Sequence, residues 1–370
     1  MIQGPGAGSP YTAEAKELSV VLGGQKVLDI PSLQVYPNEV LVVIGPNGSG
    51  KTTLLLCLAL LLSPATGMVR YGGVPILDSR ARLQTRRRLA VVFQEPLLLN
   101  GTVWDNVTLG LRLRGVKGGE IGSRAENWLQ RFGIAHLRGR QAKTLSSGEA
   151  KRASLVRAFV LQPDVLFLDE PFDALDGPTR QAMLEDFEGV LRETRVTTVM
   201  VTHDRNEALL LADRIGVLMD GSIRQIGRPQ EVFGSPVDED VASFVEAGNI
   251  LRGVVDEQSQ GLVSVAVDGQ HLEAVSDLPV GTKVTAYVHY EDVTLAVVAS
   301  QAPQTSARNH LTGRIARVLQ LGPQVKVSVD CGFMLVSVIT RRSWEELGLG
   351  IGGEAVAHFK ASSVRLIPRH

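Results

Sequence analysis

Cysteine is scarce: Cys57 and Cys331 stand far apart and in no metal-ligand spacing. That excludes a disulfide framework and a zinc site and fits a reducing compartment. Net charge is nearly absent as well, at −1, so the chain lacks the electrostatic footprint of a nucleic-acid binder. Its densest basic stretch, Arg80 to Arg88 with five arginines, reads as a solvated helix face. Long hydrophobic runs are missing too. The longest, Leu54 to Leu62, is about half of the roughly 20 residues that a bilayer span needs. Residues Met1 to Pro10 are rich in Gly and Pro and lack the apolar core of a signal peptide. The chain is therefore expected not to cross a membrane by itself.

What is present points to two domains. A length of 370 residues accommodates them with ample core, and 44% hydrophobic with 21% charged residues is ordinary for a globular chain. From residue 18 to about 235, apolar runs of strand length alternate with helical patterns. The runs are Val40 to Ile44, Leu89 to Phe93, Val165 to Asp169 and Thr197 to Thr202; the helical stretches are Glu149 to Leu161, Thr179 to Thr194 and Arg205 to Ala212. Continuous apolar strands between helices indicate an α/β sheet covered on both faces. Asp220-Gly221 between two short runs is a hairpin signal. Near Asn249 the texture changes to short β-rich segments divided by Gly, Asp and Pro: Leu262 to Val267, Lys283 to Tyr290, Gly313 to Leu321 and Val325 to Val329. This is the pattern of a small all-β barrel. The polar stretch Ala299 to Asn309 is expected to divide it into two halves of similar length, a candidate degenerate repeat.

The chemistry is carried by short loops. Gly45-Pro46-Asn47-Gly48-Ser49-Gly50-Lys51-Thr52 fits G-x-x-x-x-G-K-S/T, between a strand and a helix. Glycines let backbone N–H groups turn inward around phosphates, and a helix starting at about Lys51 points its positive end at them. Lys51 would neutralise β/γ oxygens, the Thr52 hydroxyl would ligate Mg²⁺, and Thr53 follows in the same turn. Val165-Leu166-Phe167-Leu168-Asp169-Glu170 ends a buried strand in two acids, where ligands collect in open α/β sheets. Asp169 would hold Mg²⁺ and Glu170 would polarise the attacking water; alone, such a pair could also just cap the next helix.

The discriminating stretch is Leu145-Ser146-Ser147-Gly148-Glu149. It resembles the LSGGQ signature of the ATP-binding cassette (ABC) family, with Ser147 and Glu149 in place of Gly and Gln. Gln94 looks like the family's Q-loop glutamine, Ala174-Leu175-Asp176 like its D-loop, and His203 like its switch histidine. The resemblance implies a P-loop NTPase cassette over 11–240, with a helical subdomain at about 95–160. It further implies a homodimer sandwiching two MgATP, with Ser146, Ser147 and Gly148 of one chain closing on the γ-phosphate held by Lys51 of the other. Glu170 would act as general base, His203 would orient the γ-phosphate, Gln94 would join Thr52 and Asp169 at the metal, and Asp176 would face the nucleotide. Leu22 stands where the family usually stacks an aromatic residue on adenine, and Tyr11 is a poor substitute. The stretch Glu95 to Gly115 resembles importer cassettes, in which this region receives a membrane permease; Leu97, Leu98, Leu99 and Trp104 would supply apolar contacts. A location on the cytoplasmic face of the membrane and an extracytoplasmic substrate-binding protein follow from the same likeness.

Residues 250–370 resemble the TOBE-type β modules of importer cassettes. Within them, about 304–368 resemble the molybdate-binding Mop-type modules, through Gln304-Thr305-Ser306-Ala307-Arg308-Asn309, Gly313-Arg314-Ile315, Val338-Ile339-Thr340 and Phe359-Lys360-Ala361-Ser362. Thr305, Ser306, Arg308, Lys360 and Ser362 would supply donors and positive charge to a tetrahedral dianion. The implied function is the ATPase of a molybdate or tungstate importer. Two alternatives stay open: an importer for sulfate, sugar or polyamine with a structural TOBE module, and a soluble oxyanion-responsive ATPase or sensor without a permease.

Overall fold

In a computed structural model the described residues are 11–245, 248–298 and 305–369, and the chain divides into two compact units, 1–229 and 230–370. Gln304 and most of the polar divider lie outside the described residues.

The first unit opens with strand β1 (Ala13–Leu22), which buries Ala13, Ala15, Leu18 and Val20. The alternation shifts by one residue at Glu17, whose φ of 51° interrupts the extended run. β1 lies between β2 (Gln25–Val35) and β4 (Thr66–Tyr71), with β5 (Val74–Pro75) on the edge, in an antiparallel sheet of order β2-β1-β4-β5. The sequence reading did not anticipate this sheet. β3 (Val40–Ile44) is buried at all five positions and belongs to a second sheet. That sheet also holds β6 (Leu89–Val92), β7 (Val165–Asp169), β8 (Thr197–Thr202), β9 (Arg214–Met219) and β10 (Ser222–Gly227), in the order β10-β9-β3-β8-β7-β6. Every pair is parallel except β9 with β10. Their turn has Asp220 at φ 47° and Gly221 at φ 75°, the two positive values that a tight hairpin requires.

Helices α1 (Lys51–Leu58), α2 (Ser79–Arg86), α6 (Gly177–Thr194) and α7 (Arg205–Leu211) connect these strands. Between β6 and β7 come α3 (Val103–Leu113), α4 (Gly118–Arg131) and α5 (Ser147–Phe159), the region expected as the helical subdomain. An aromatic cluster holds α4 and α5 to α6: Trp128 lies 4.9 Å from Phe159, and Phe159 lies 6.0 Å from Phe187.

The second unit starts with α8 (Pro229–Gly234) and α9 (Glu239–Val245). Then follow β11 (Gly248–Ser259), β12 (Leu262–Val267), β13 (Gln270–Val275), β14 (Lys283–His289) and β15 (Thr294–Val297). After the divider come β16 (Asn309–Leu321), β17 (Gln324–Asp330), β18 (Met334–Thr340), α10 (Arg341–Leu347), β19 (Glu354–Phe359) and β20 (Val364–Pro368). The strands form two five-stranded sheets of order β13-β12-β11-β14-β20 and β18-β17-β16-β19-β15. The order is the same in both when the first strand of one half is matched to the first of the other. The outer strands approach each other, β13 to β20 and β18 to β15, so each sheet curls toward a barrel.

The polar divider does not separate two independent halves. Each half lends its last strand to the other's sheet: β15 pairs with β19, and β20 pairs with β14. Asn249 and Asn309 reinforce the exchange. Asn249 is 4% exposed and bonds both backbone groups of Val336, accepting at 2.6 Å and donating at 2.8 Å. Asn309, 2% exposed, does the same to Glu273, at 2.8 and 2.9 Å. Gly253 and Gly313 are matched too, since a Cβ would lie 2.5 Å from Ala266 O at the first and 2.4 Å from Asp330 O at the second. One apolar core serves both sheets, with Val263, Val265 and Ala286 from one and Leu311, Val327 and Ala357 from the other. Helix α10 was not anticipated; Thr340 caps its start and Gly348, at φ 59°, its end.

Candidate nucleotide site

The site assembles at the carboxyl ends of β3, β7 and β8. β3 delivers Gly45, where only glycine fits, because a Cβ would sit 2.1 Å from Leu218 O. Gly50 caps α1 at φ 100°, and a Cβ there would sit 2.7 Å from Leu28 Cδ2. Pro46, Asn47 and Gly48 form the turn between them, closed by Ser49 N–H donating to Pro46 O at 3.2 Å. Lys51 curls back over this loop and donates to Gly45 O at 2.9 Å and Pro46 O at 3.0 Å. Burial lowers its pKa, while the negative charges of Glu170 and Asp169 act against that. Ser49 Oγ is buried and makes no hydrogen bond, an unmet polar atom in a loop built to meet an oxyanion. Thr53, partly buried, precedes the leucines that anchor α1.

Across the loop, the Thr52 hydroxyl donates to Asp169 Oδ1 at 2.9 Å. Asp169 is 6% exposed, and burial raises its pKa, with Glu170 adding to the shift and Thr52 and Lys51 opposing it. These hard oxygen donors suit a small divalent cation. Glu170 sits in the left-handed region at φ 43°, a strained position for a non-glycine residue. Its amide stays in the strand ladder, donating to Val201 O at 2.9 Å, and its Oε2 lies 2.9 Å from His203 Nδ1 at the end of β8. Gln94, just after β6, donates from Nε2 to Asp173 Oδ2 at 2.8 Å. That bond is the main cause holding the Asp173 carboxyl below its ordinary pKa. Polar atoms of Glu170, Asp173 and His203 lie within 4.8 Å of one another.

Ser146 and Ser147 are exposed, and Gly148 is buried. Ser146 caps α5 with Glu149 in a reciprocal capping box, at 3.3 and 2.7 Å. The Ser146 amide is the main cause holding the Glu149 carboxyl low. Gly148 faces α6, where an added Cβ would stand 3.1 Å from Thr179 Cγ2. Asp176 caps α6 by accepting from Thr179 N–H at 3.1 Å.

Sequence reasoning missed one face of α5. Lys151 Nζ donates to Gln94 O at 3.0 Å, Ser154 to Pro96 O at 3.3 Å, and Arg157 to Pro96 O and Leu97 O at 3.0 and 2.9 Å. The loop carrying Gln94 is thus gripped by the helix carrying the Ser146–Gly148 turn. Asp173 was missed as well; its only signal was a third acid close behind Asp169-Glu170. Leu22 ends β1 in a hairpin and is 46% exposed. Tyr11 packs edge-on against Tyr36 at 5.2 Å. Leu97 and Leu99 are exposed at 56% and 53%, and Trp104 is stacked under Arg138 at 4.6 Å.

In the second unit, β16 pairs Asn309 with Phe359, so Arg308 and Lys360 leave the sheet at the same end. Arg308 is held there by the Glu273 carboxylate. Thr305 Oγ1 accepts from Ala307 N–H at 3.2 Å, and Ser306 and Lys360 are exposed. Ser362 lines a cleft of about 500 Å³ together with Ser276, His289 and Arg365.

No helix among the described residues is long and apolar enough to cross a membrane. The ABC transporter family model matches residues 28–173, and the TOBE domain model matches residues 305–366. The molybdate/tungstate import ATP-binding protein of Pyrococcus abyssi is 35% identical over 343 residues, covering 92% of this chain and 96% of its own. The sulfate/thiosulfate import ATP-binding protein of Nitrosomonas europaea is 32% identical over 369 residues, covering 97% and 98%. Among solved structures, a dimeric ATP-binding cassette in a post-hydrolysis state with ADP and phosphate superposes with a TM-score of 0.54 at 27% identity, covering 59% of this chain and 98% of that one. With a phosphate loop, a two-acid strand end, a capped signature turn and relatives matched along nearly their whole length, this chain belongs to the ABC transporter family, as an ATP-hydrolysing import subunit that carries a TOBE domain.

Proposed function

We propose that this importer ATPase drives uptake of molybdate or tungstate. The observation that carries the reading is the chain-long likeness to the Pyrococcus abyssi subunit, which extends through the β-rich second unit as well as the cassette. The donors at Thr305, Ser306, Lys360 and Ser362 suit a tetrahedral dianion, with Arg308 shared with Glu273.

Two copies would face each other head to tail over two ATP molecules. Lys51 would leave the carbonyls of its own loop for the β- and γ-phosphates, and the Ser49 hydroxyl would gain a partner. Ser146, Ser147 and Gly148 of one copy would close on the γ-phosphate bound by the other, beside Asp176. Thr52, Asp169 and Gln94 would hold Mg²⁺, which when bound draws charge from the phosphate oxygens. Glu170 would take the proton of the attacking water, and His203, already 2.9 Å from Glu170, would orient the γ-phosphate. The exposed Leu97 and Leu99 would meet a membrane permease, which places the chain on the cytoplasmic face of the membrane and pairs it indirectly with an extracytoplasmic binding protein. Deleting the chain should lower cellular molybdenum or tungsten, by elemental analysis, and leave growth on sulfate intact. A strain with normal content of both metals that no longer grew on sulfate as its sulfur source would overturn the cargo assignment.

A second reading, sulfate import with a silent β module, has its own support. The Nitrosomonas europaea subunit matches over 98% of its length, and Glu273 offsets the one arginine of the candidate oxyanion set.

A further inference from the structure

Glu207 is a carboxylate with 1% side-chain exposure, and none of the motifs uses it. A buried charge of this kind is tolerated only when both oxygens are engaged. Its Oε1 accepts from the Arg180 guanidinium, with Nε at 3.1 Å, and its Oε2 accepts from the Thr202 hydroxyl at 2.6 Å. Arg180 also reaches Asp204 Oδ2 at 3.0 Å. The Thr202 hydroxyl in turn accepts from Asp204 N–H at 3.0 Å.

His203 stands between Thr202 and Asp204, so the residues on either side of it are pinned by their side chains. Both pins converge on Arg180. Arg180 belongs to the first turn and a half of α6, where its amide donates to Asp176 O at 2.9 Å. One ion cluster therefore fixes the backbone that aims His203 at Glu170, and ties it to the loop carrying Asp176.

We infer that Glu207 and Arg180 are positioning residues that set the orientation of His203 and couple it to the Asp176 loop. The inference rests on the catalytic reading of Glu170 and His203 given above. It means that a shift of the Asp176 loop against a second cassette reaches the histidine through a side-chain lever rather than through the β8 backbone.

The test compares Glu207→Gln, Thr202→Val and His203→Ala in the full-length chain. Thr202→Val changes no charge, which guards against a Glu207 variant that fails to fold. A misplacement of the histidine should lower kcat roughly tenfold to a hundredfold in both Glu207→Gln and Thr202→Val, with ATP affinity unchanged. The His203 imidazole resonances should shift in both variants. In the His203→Ala background, Glu207→Gln should cost nothing further, because the residue to be positioned is gone. An equal loss in the two backgrounds, or unshifted His203 resonances, would overturn the positioning role and leave the catalytic reading standing. Unaltered turnover in His203→Ala alone would overturn both.

Discussion

The two units solve the problem of burying polar groups in different ways. In the first, the buried Lys51 and Asp169 and more exposed polar groups around them gather at the ends of parallel strands and satisfy one another for the time being: Lys51 holds its own loop carbonyls, Thr52 holds Asp169, Gln94 holds Asp173. Each of these bonds can be exchanged for a bond to a phosphate or a cation. In the second unit the buried polar groups are permanent fasteners. Asn249 and Asn309 each saturate one residue's backbone in the other half's edge strand, and no ligand could replace that without opening the sheet. At the phosphate loop the polar partners are movable and serve chemistry; in the second unit the buried asparagines are held against strands and serve architecture.

Several substitutions would break or sharpen this contrast. The largest effect is expected at Glu170→Gln, which removes the candidate base and should reduce phosphate release by about 10² to 10⁴-fold while nucleotide binding and thermal unfolding stay near those of the parent chain. In the second unit the reverse should hold. Asn309→Ala leaves the Glu273 backbone groups unpaired and should cost about 1–3 kcal/mol in calorimetric unfolding, without altering the ATP affinity. Asn249→Ala should cost a similar amount, since its geometry is the same; a large inequality would break the equivalence of the halves. Returning to the cassette, Leu22→Tyr offers adenine an aromatic face and should tighten ATP binding by about 1 kcal/mol, measured against GTP. An already strict ATP preference in the parent chain would remove the reason for that expectation.

The smallest effect concerns His358, which lies with its Nδ1 2.6 Å from His310 Nδ1. Burial, followed by the His310 charge, lowers its pKa from the ordinary 6.5. The folded state thus prefers the neutral ring. The associated stability is present above pH 6.5 and is lost as the pH falls from there toward the lowered native value, because the unfolded chain takes up the proton first. Thermal unfolding followed from pH 8 to 5 should show a shallower decline for His358→Tyr, the residue type found at Tyr287 in the matching strand.

Much of the cassette was legible because its chemistry is written in contiguous loops. Val40–Ile44, Val165–Asp169 and Thr197–Thr202 have the bounds that their apolar runs indicate, since a strand buried on both faces needs no partner information to be seen. The antiparallel sheet of β1, β2, β4 and β5 escaped notice because its alternation is broken at Glu17. Asp173, Lys151 and Arg180 escaped because each acquires meaning only from an element far away in sequence. Helix α10 is a single capped stretch of 7 residues, too short to declare a period. In the second unit, individual strands such as Leu262–Val267 were readable, but period-2 patterning says which face is buried and not which strand lies alongside. Hence the exchange of β15 and β20 could not be foreseen.

That exchange bears on how the polypeptide can be divided. Cleaving the chain between Val298 and Thr305 would leave the cassette sheets whole but give two pieces of the second unit, neither of which owns a complete sheet of that unit. Each would expose an orphaned strand matched to a vacancy in the other. The two β-rich pieces should therefore behave as obligate complements, unfolded when separate and mutually templating when mixed, while the cassette stays folded on its own, so that a nick at this point would go unnoticed until denaturant pulled the pieces apart.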